Sequence, residues 1–317
     1  LKPTWENGRV HIAWEPDSFT ENDITEYRIF RSEDGITYDP IQIVSNNVHN
    51  FDDRSTISGH KYYYSVGARY PIYGDIISNK EYVVAGSDFE WKDYHWISRS
   101  DYGLPGPFNS NYFNSQNAWL DQNNDLHLII REENGKWTCA EVYTKDSPRP
   151  FGFGLYEFVI EGDVDKLLQN NAVLGMFLYG PYGGIEDRFT MIETNEIDIE
   201  IGNLNKPNAN LHYTIWPHDI VYQSQGQNFV QNSSFIKDFK GRSIHQFKWS
   251  PTYILFKSYS SEYNVINQYL FDKPPENEQS VDIYDCIPQD PMPVHINLWL
   301  YDAKDPAENL EIIVKDF

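Results

Sequence analysis

The chain has 317 residues, 47 acidic against 25 basic, a formal net charge of −22, and 16% aromatic residues. A field of that sign repels polyanions, so nucleic acid, anionic membranes and heavily sulfated polymers are not expected as partners, and no apolar run is long enough to suggest a membrane span. The length suggests about two domains with ample core, and the aromatic enrichment suits both β-strands and sugar binding, because a pyranose face packs on an aromatic ring. The start at Leu1 rather than Met reads as a processed or trimmed chain.

From residue 1 to 85, short strand-like runs alternate with turn clusters, the pattern of a β-sandwich. Val10–Trp14, Tyr27–Arg31 and Tyr62–Ala68 read as strands, with a turn at Glu33-Asp34-Gly35. Trp14, the Tyr-Arg-Ile-Phe-Arg strand at Tyr27 and the Tyr62–Val66 strand occur in an order that resembles a fibronectin type III domain. No ionisable cluster suited to chemistry stands out there, which gives the segment the role of a spacer or packing module. Residues 86–93 read as a linker.

The second domain, residues 86–317, shows no amphipathic helix longer than two turns. Its apolar segments are short and alternating: Leu126–Ile130, Leu155–Ile160, Ala172–Tyr179, Glu196–Ile201, His245–Trp249, Tyr253–Phe256 and Val294–Leu300. Such a series predicts a large antiparallel sandwich or jelly roll, so the whole chain is expected to be all-β. A single helical turn is expected near Asp165–Asn170. Cys139 and Cys286 fit no metal spacing and read as buried thiols, with a disulfide as the alternative.

Residues 194–202, Thr-Asn-Glu-Ile-Asp-Ile-Glu-Ile-Gly, place Glu196, Asp198 and Glu200 at every second position. On a strand these acids share one face and Ile197, Ile199 and Ile201 share the other. Acids are frequent enough for this spacing to arise by chance; the strict isoleucine alternation is what marks a half-buried strand. Glu161, Asp163 and Asp165 have the same spacing without an apolar face and read as a solvated loop. Like charges on one sheet face repel, a cost expected where chemistry requires it. Taken alone, the three acids also fit an acidic outer face or a calcium site.

Further segments carry a resemblance. Cys139-Ala-Glu-Val-Tyr-Thr144, Phe151-Gly-Phe-Gly-Leu-Tyr-Glu157, His245-Gln-Phe-Lys-Trp249 and Pro293-Val-His-Ile-Asn-Leu-Trp299 surround the acidic strand in an order that resembles glycoside hydrolase family 16 over residues 90–317. The resemblance implies a concanavalin-like β-jelly-roll catalytic domain, with Glu196 as nucleophile, Glu200 as acid/base and Asp198 orienting both. It further implies sugar contacts from Glu141, Tyr179, His212 and Trp299, a polysaccharide partner, no cofactor or metal for catalysis, and a structural calcium near Asp316. Catalysis by this family is retaining, with two carboxyl groups about 5 to 5.5 Å apart.

The acidic triplet lacks the extra residue that forms a bulge in one branch of the family, so it resembles the branch of lichenases and xyloglucan enzymes. The expected activity is endo-hydrolysis of a neutral β-glucan with β-1,3 or β-1,4 linkages, in a secreted, extracellular or periplasmic protein. An endo-β-galactanase, a xyloglucan-type transglycosylase and a non-catalytic carbohydrate-binding protein are the alternatives. The chain departs from the family at Thr194-Asn195, where Trp-Asp is usual, at Tyr143, where an Arg is common, and at Lys257–Glu262, where a Tyr-x-Asp-Gly hairpin is usual. Insertions at Pro181–Glu193 and Pro274–Pro291 are expected to reshape the rims of the site.

Overall fold

The computed structural model describes residues 1–16, 23–100, 111–144, 151–180, 195–217, 229–237, 240–275, 281–301 and 305–317. The Pro181–Glu193 insertion and Thr194 lie outside the described residues, as does part of the second insertion. The chain divides into two compact units, residues 1–89 with 119–124, and residues 90–118 with 125–317.

The first unit contains β1 (Lys2–Glu6), β2 (Arg9–Ala13), β3 (Glu26–Ser32), β4 (Asp39–Ser45), β5 (Asn50–Asp53), β6 (Lys61–Tyr70), β7 (Gly74–Ile77) and β8 (Glu81–Val84). Strands β1-β2-β5 form one sheet; β4-β3-β6-β7, with β8 on β6, form another. Alternating residues of both, among them Val10, Ile12, Tyr27, Ile29, Tyr64 and Val66, meet in one buried core. Trp14 completes it, its ring edge-on to Tyr27 at 5.4 Å. The turn after β3 forms as the sequence predicts, because the Asp34 carboxylate accepts from the Ile36 and Thr37 amides and Gly35 takes a φ of +74°. Asp53 is buried but satisfied: Arg31 Nη1 and the Tyr64 hydroxyl each donate to it at 2.9 Å. Trp119 is buried within the first unit, with Lys61 Nζ 3.9 Å from its ring centre.

The remaining strands are β9 (Asp88–Trp91), β10 (Tyr94–Ser98), β11 (Tyr112–Phe113), β12 (Ala118–Leu120), β13 (Leu126–Glu133), β14 (Lys136–Thr144), β15 (Gly154–Asp163), β16 (Ala172–Gly180), β17 (Asn195–Ile201), β18 (Leu211–Trp216), β19 (Val230–Ser234), β20 (Lys240–Ser250), β21 (Tyr253–Ser260), β22 (Val265–Phe271), β23 (Val294–Leu300) and β24 (Leu310–Asp316). The main path runs β19-β18-β17-β16-β23-β14-β13-β24-β15-β20-β21-β22, an almost closed jelly-roll sheet. Its two halves pack face to face: Tyr213 of β18 stacks on Phe256 of β21 at 4.8 Å, and its hydroxyl hydrogen-bonds Ser258 at 2.7 Å.

Two sequence expectations change here. Residues 88–91 form β9 rather than a linker, because Phe89 and Trp91 alternate with Asp88 and Glu90 and are both buried. Glu161 and Asp163 end β15 rather than lying in a loop, and Asp163 caps the single-turn helix α1 (Val164–Gln169) by accepting from the Lys166 amide at 3.2 Å. Cys139 and Cys286 are both buried free thiols.

Candidate active site

Strand β17 pairs in unbroken antiparallel register with β16 on one side and β18 on the other. Ile197, Ile199 and Ile201 are fully buried in the core. The opposite face carries the acids: Glu196 lies between Tyr179 and Trp216, Asp198 between Phe177 and Thr214, and Glu200 between Gly175 and His212. Gly175 is required beside Glu200, since a Cβ there would sit 2.5 Å from Asn297 Oδ1. Continuing outward, β23 adds His295, Asn297 and Trp299, and β14 adds Glu141 and Tyr143. One sheet face therefore collects residues from five strands.

Glu196 and Glu200 are half-buried, and Asp198 is 4% exposed. The Trp216 indole N–H donates to Asp198 Oδ2 at 3.2 Å, whereas the buried Oδ1 meets no donor among the described residues. Burial holds the proton affinity of Asp198 well above the ordinary carboxylate range, reinforced by the charges of Glu196 and Glu200. Glu196 is raised by burial first, then by the charges of Glu200 and Glu141, against a hydrogen bond with Asp198. Glu200 is raised by burial and partly relieved by Lys206, whose ammonium bonds Gln231 and lies 3.1 Å from Ser233 Oγ. Burial and like charge together disfavour ionising all three carboxyls at once, which favours at least one of them keeping its proton.

The structure buries Glu141, His212 and Trp299. Arg99 Nη1 is bonded to Glu141 Oε2, and His295 Nδ1 lies 3.1 Å from Oε1. Burial alone would raise the proton affinity of Glu141; Arg99 and His295 outweigh that and hold it at about 2. His212 is fully buried, its ring nitrogens 2.9 Å from Ser233 Oγ and Gly202 O, which ties β18 to its neighbours. Trp299 lies on the same face and is 6% exposed. Of the four expected contacts, Tyr179 alone stays half-buried, directly opposite Glu196.

Arg99, Phe177, Trp216 and His295 join the site without having been singled out from sequence. Trp216 had a signal, being in step with His212 at a spacing of two on the next strand. Arg99 had none, because its partner Glu141 lies 42 residues away. For calcium, Asp316 is engaged by Lys92 Nζ at 3.1 Å, and no group of three or more His, Cys, Asp or Glu side chains forms among the described residues.

No family model matches the chain. A solved glycoside hydrolase family 16 endo-glucanase from Bacteroides ovatus, in complex with G4G3G-2F-DNP, superposes with a TM-score of 0.52 at 11% identity, covering 71% of this chain and 94% of that one. A pseudo beta-1,3-glucanase of Mycobacterium tuberculosis aligns with a TM-score of 0.47 at 17% identity, over 73% and 90% of the two chains. By sequence, an amylopullulanase from Thermoanaerobacterium saccharolyticum is 42% identical over 79 residues, which is 25% of this chain and 6% of that protein. The first of these likenesses establishes a shared jelly-roll fold.

Proposed function

We propose that the second unit is a retaining endo-β-glycosidase that hydrolyses a neutral β-glucan with β-1,3 or β-1,4 linkages, and that the first is a fibronectin type III-like accessory module. The observation that carries this reading is the unbulged β17, which aligns three acids of raised proton affinity on one face. In the proposed reaction the ionised Glu196 attacks the anomeric carbon while Glu200 gives its proton to the departing glycosidic oxygen. Glu200 then takes a proton from the water that releases the sugar from Glu196. Asp198, held by Trp216, shares a proton with Glu196 and limits the charge on the strand. Two buried acceptors without donors among the described residues, Asp198 Oδ1 and Asn297 Oδ1, suit a ligand rich in hydroxyls. A polymer substrate and a strongly acidic chain fit a setting outside the cell or in the periplasm.

Oligosaccharide release from mixed-linkage glucan, laminarin, xyloglucan and agarose tests the proposal. Turnover on a β-glucan, lost about a thousand-fold or more in Glu196→Gln and in Glu200→Gln, is expected. Turnover on agarose or glycosyl transfer between xyloglucan chains would reassign the substrate. A second reading, non-catalytic glycan binding, draws on the departures from the family pattern at Thr194-Asn195 and Tyr143; binding without turnover on any polymer would favour it.

A further inference from the structure

A buried chain of charge runs beside the three acids. Arg99 closes one oxygen of Glu141 and His295 the other, and the Arg99 guanidinium also covers the Phe113 ring at 4.0 Å. His295 is 2% exposed and clamped on both faces: Tyr143 stacks at 5.5 Å with an 18° tilt, Phe177 at 5.0 Å with 24°. Tyr179 stands edge-on to the same imidazole at 6.0 Å. Phe177 and Tyr179 are the β16 residues opposite Asp198 and Glu196, so the imidazole connects Glu141 to the two rings that face Asp198 and the proposed nucleophile. An ionised carboxylate accepts only, so Nδ1 carries the proton and donates to Glu141.

We propose that His295 is a positioning residue that acts on Glu196 through Glu141: its Nδ1–H, with Arg99 on the other oxygen, absorbs the Glu141 charge that would otherwise bear on the nucleophile. The reading rests on the role proposed for Glu196, but its physical content is a property of the resting protein. Glu196 is acted on by Glu200 and Asp198 from its own strand and by Glu141 from β14; the other ionisable residues on this face are Tyr179 on β16, Tyr143 on β14 and His295 on β23, while Arg99 bonds Glu141 and Lys206 acts on Glu200. Trp216 on β18 is uncharged. Glu141 already raises the proton affinity of Glu196, and taking away its partners strengthens that effect.

Two substitutions separate charge from packing. His295→Phe keeps a ring between Tyr143 and Phe177 and removes the donor; His295→Asn keeps a donor near Nδ1 and removes the ring. Carboxyl-carbon NMR of 13C-glutamate-labelled protein, with the Glu196 signal assigned by its loss in Glu196→Gln, reads the titration without any turnover. The midpoint of Glu196 is expected to rise by about half a pH unit or more in His295→Phe and to stay near the wild-type value in His295→Asn. Arg99→Gln, which strips the other oxygen of Glu141, moves it the same way and decides the matter if His295→Phe does not fold. An unchanged midpoint in His295→Phe or Arg99→Gln, or a larger shift in His295→Asn, overturns the proposal. The acid limb of kcat/KM should follow the midpoint; a shifted titration in a protein that cleaves no glycan would sink the glycosidase reading and leave this one standing.

Discussion

Glu200 carries a thermodynamic signature of its site. A carboxyl that binds its proton more tightly when folded stabilises the fold below its unfolded midpoint, near 4.3 for glutamate, and loses that contribution as pH rises through the folded midpoint, pushed up to about 7 here. Glu200→Gln removes the loss. Its melting temperature should exceed the wild type's at pH 7.5 by about 2–4 °C and match it at pH 4; equal melting at pH 7.5 would contradict the burial argument. Glu141 has the same chemistry and the opposite behaviour, because two cationic or donor groups close its oxygens. Sequence order displays the acids but not these surroundings: Arg99–Glu141 and Glu141–His295 span 42 and 154 residues.

At the level of elements, strand β17 was legible because isoleucines alternate with acids. Its neighbours β16 and β23 were legible as apolar runs, and the missing bulge is borne out by the unbroken register with both partners. What escaped was the face each neighbour presents, since register is set by pairing between distant segments. Strand β9 escaped because Gly, Ser and Asp at its start resemble a turn, while Phe89 and Trp91 supply the burial. Strand β18 is also tied to the other half of the sheet by a buried polar relay. Tyr213 bonds Ser258, and the two nitrogens of His245 reach Ser258 at 2.8 Å and Ser243 at 2.9 Å. Ser258→Ala takes one buried hydrogen bond from Tyr213 and one from His245 and should cost about 1–3 kcal/mol in urea unfolding; a change within a few tenths would show that the relay contributes nothing. In the first unit, Asp53→Ala strands Arg31 and Tyr64 and should cost about 3 kcal/mol or more.

For the whole molecule, a net charge of −22 and the proposed neutral substrate make a simple demand on kinetics. Salt screens charge–charge steering over about 10 Å at 0.1 M, and a neutral glucan offers no charge to steer. Turnover should change less than about twofold between low and moderate ionic strength; a steep fall or rise would point to a charged substrate. Among the described residues the first unit's Asp53 is buried and satisfied by Arg31 and Tyr64, and the proposal places catalysis in the second unit. The most direct test of that assignment is proton NMR of the first sugar released from the best β-glucan, read before mutarotation. The β-anomer is predicted, because attack by Glu196 followed by water inverts the centre twice. The α-anomer would mean a single displacement and contradict the role given to Glu196.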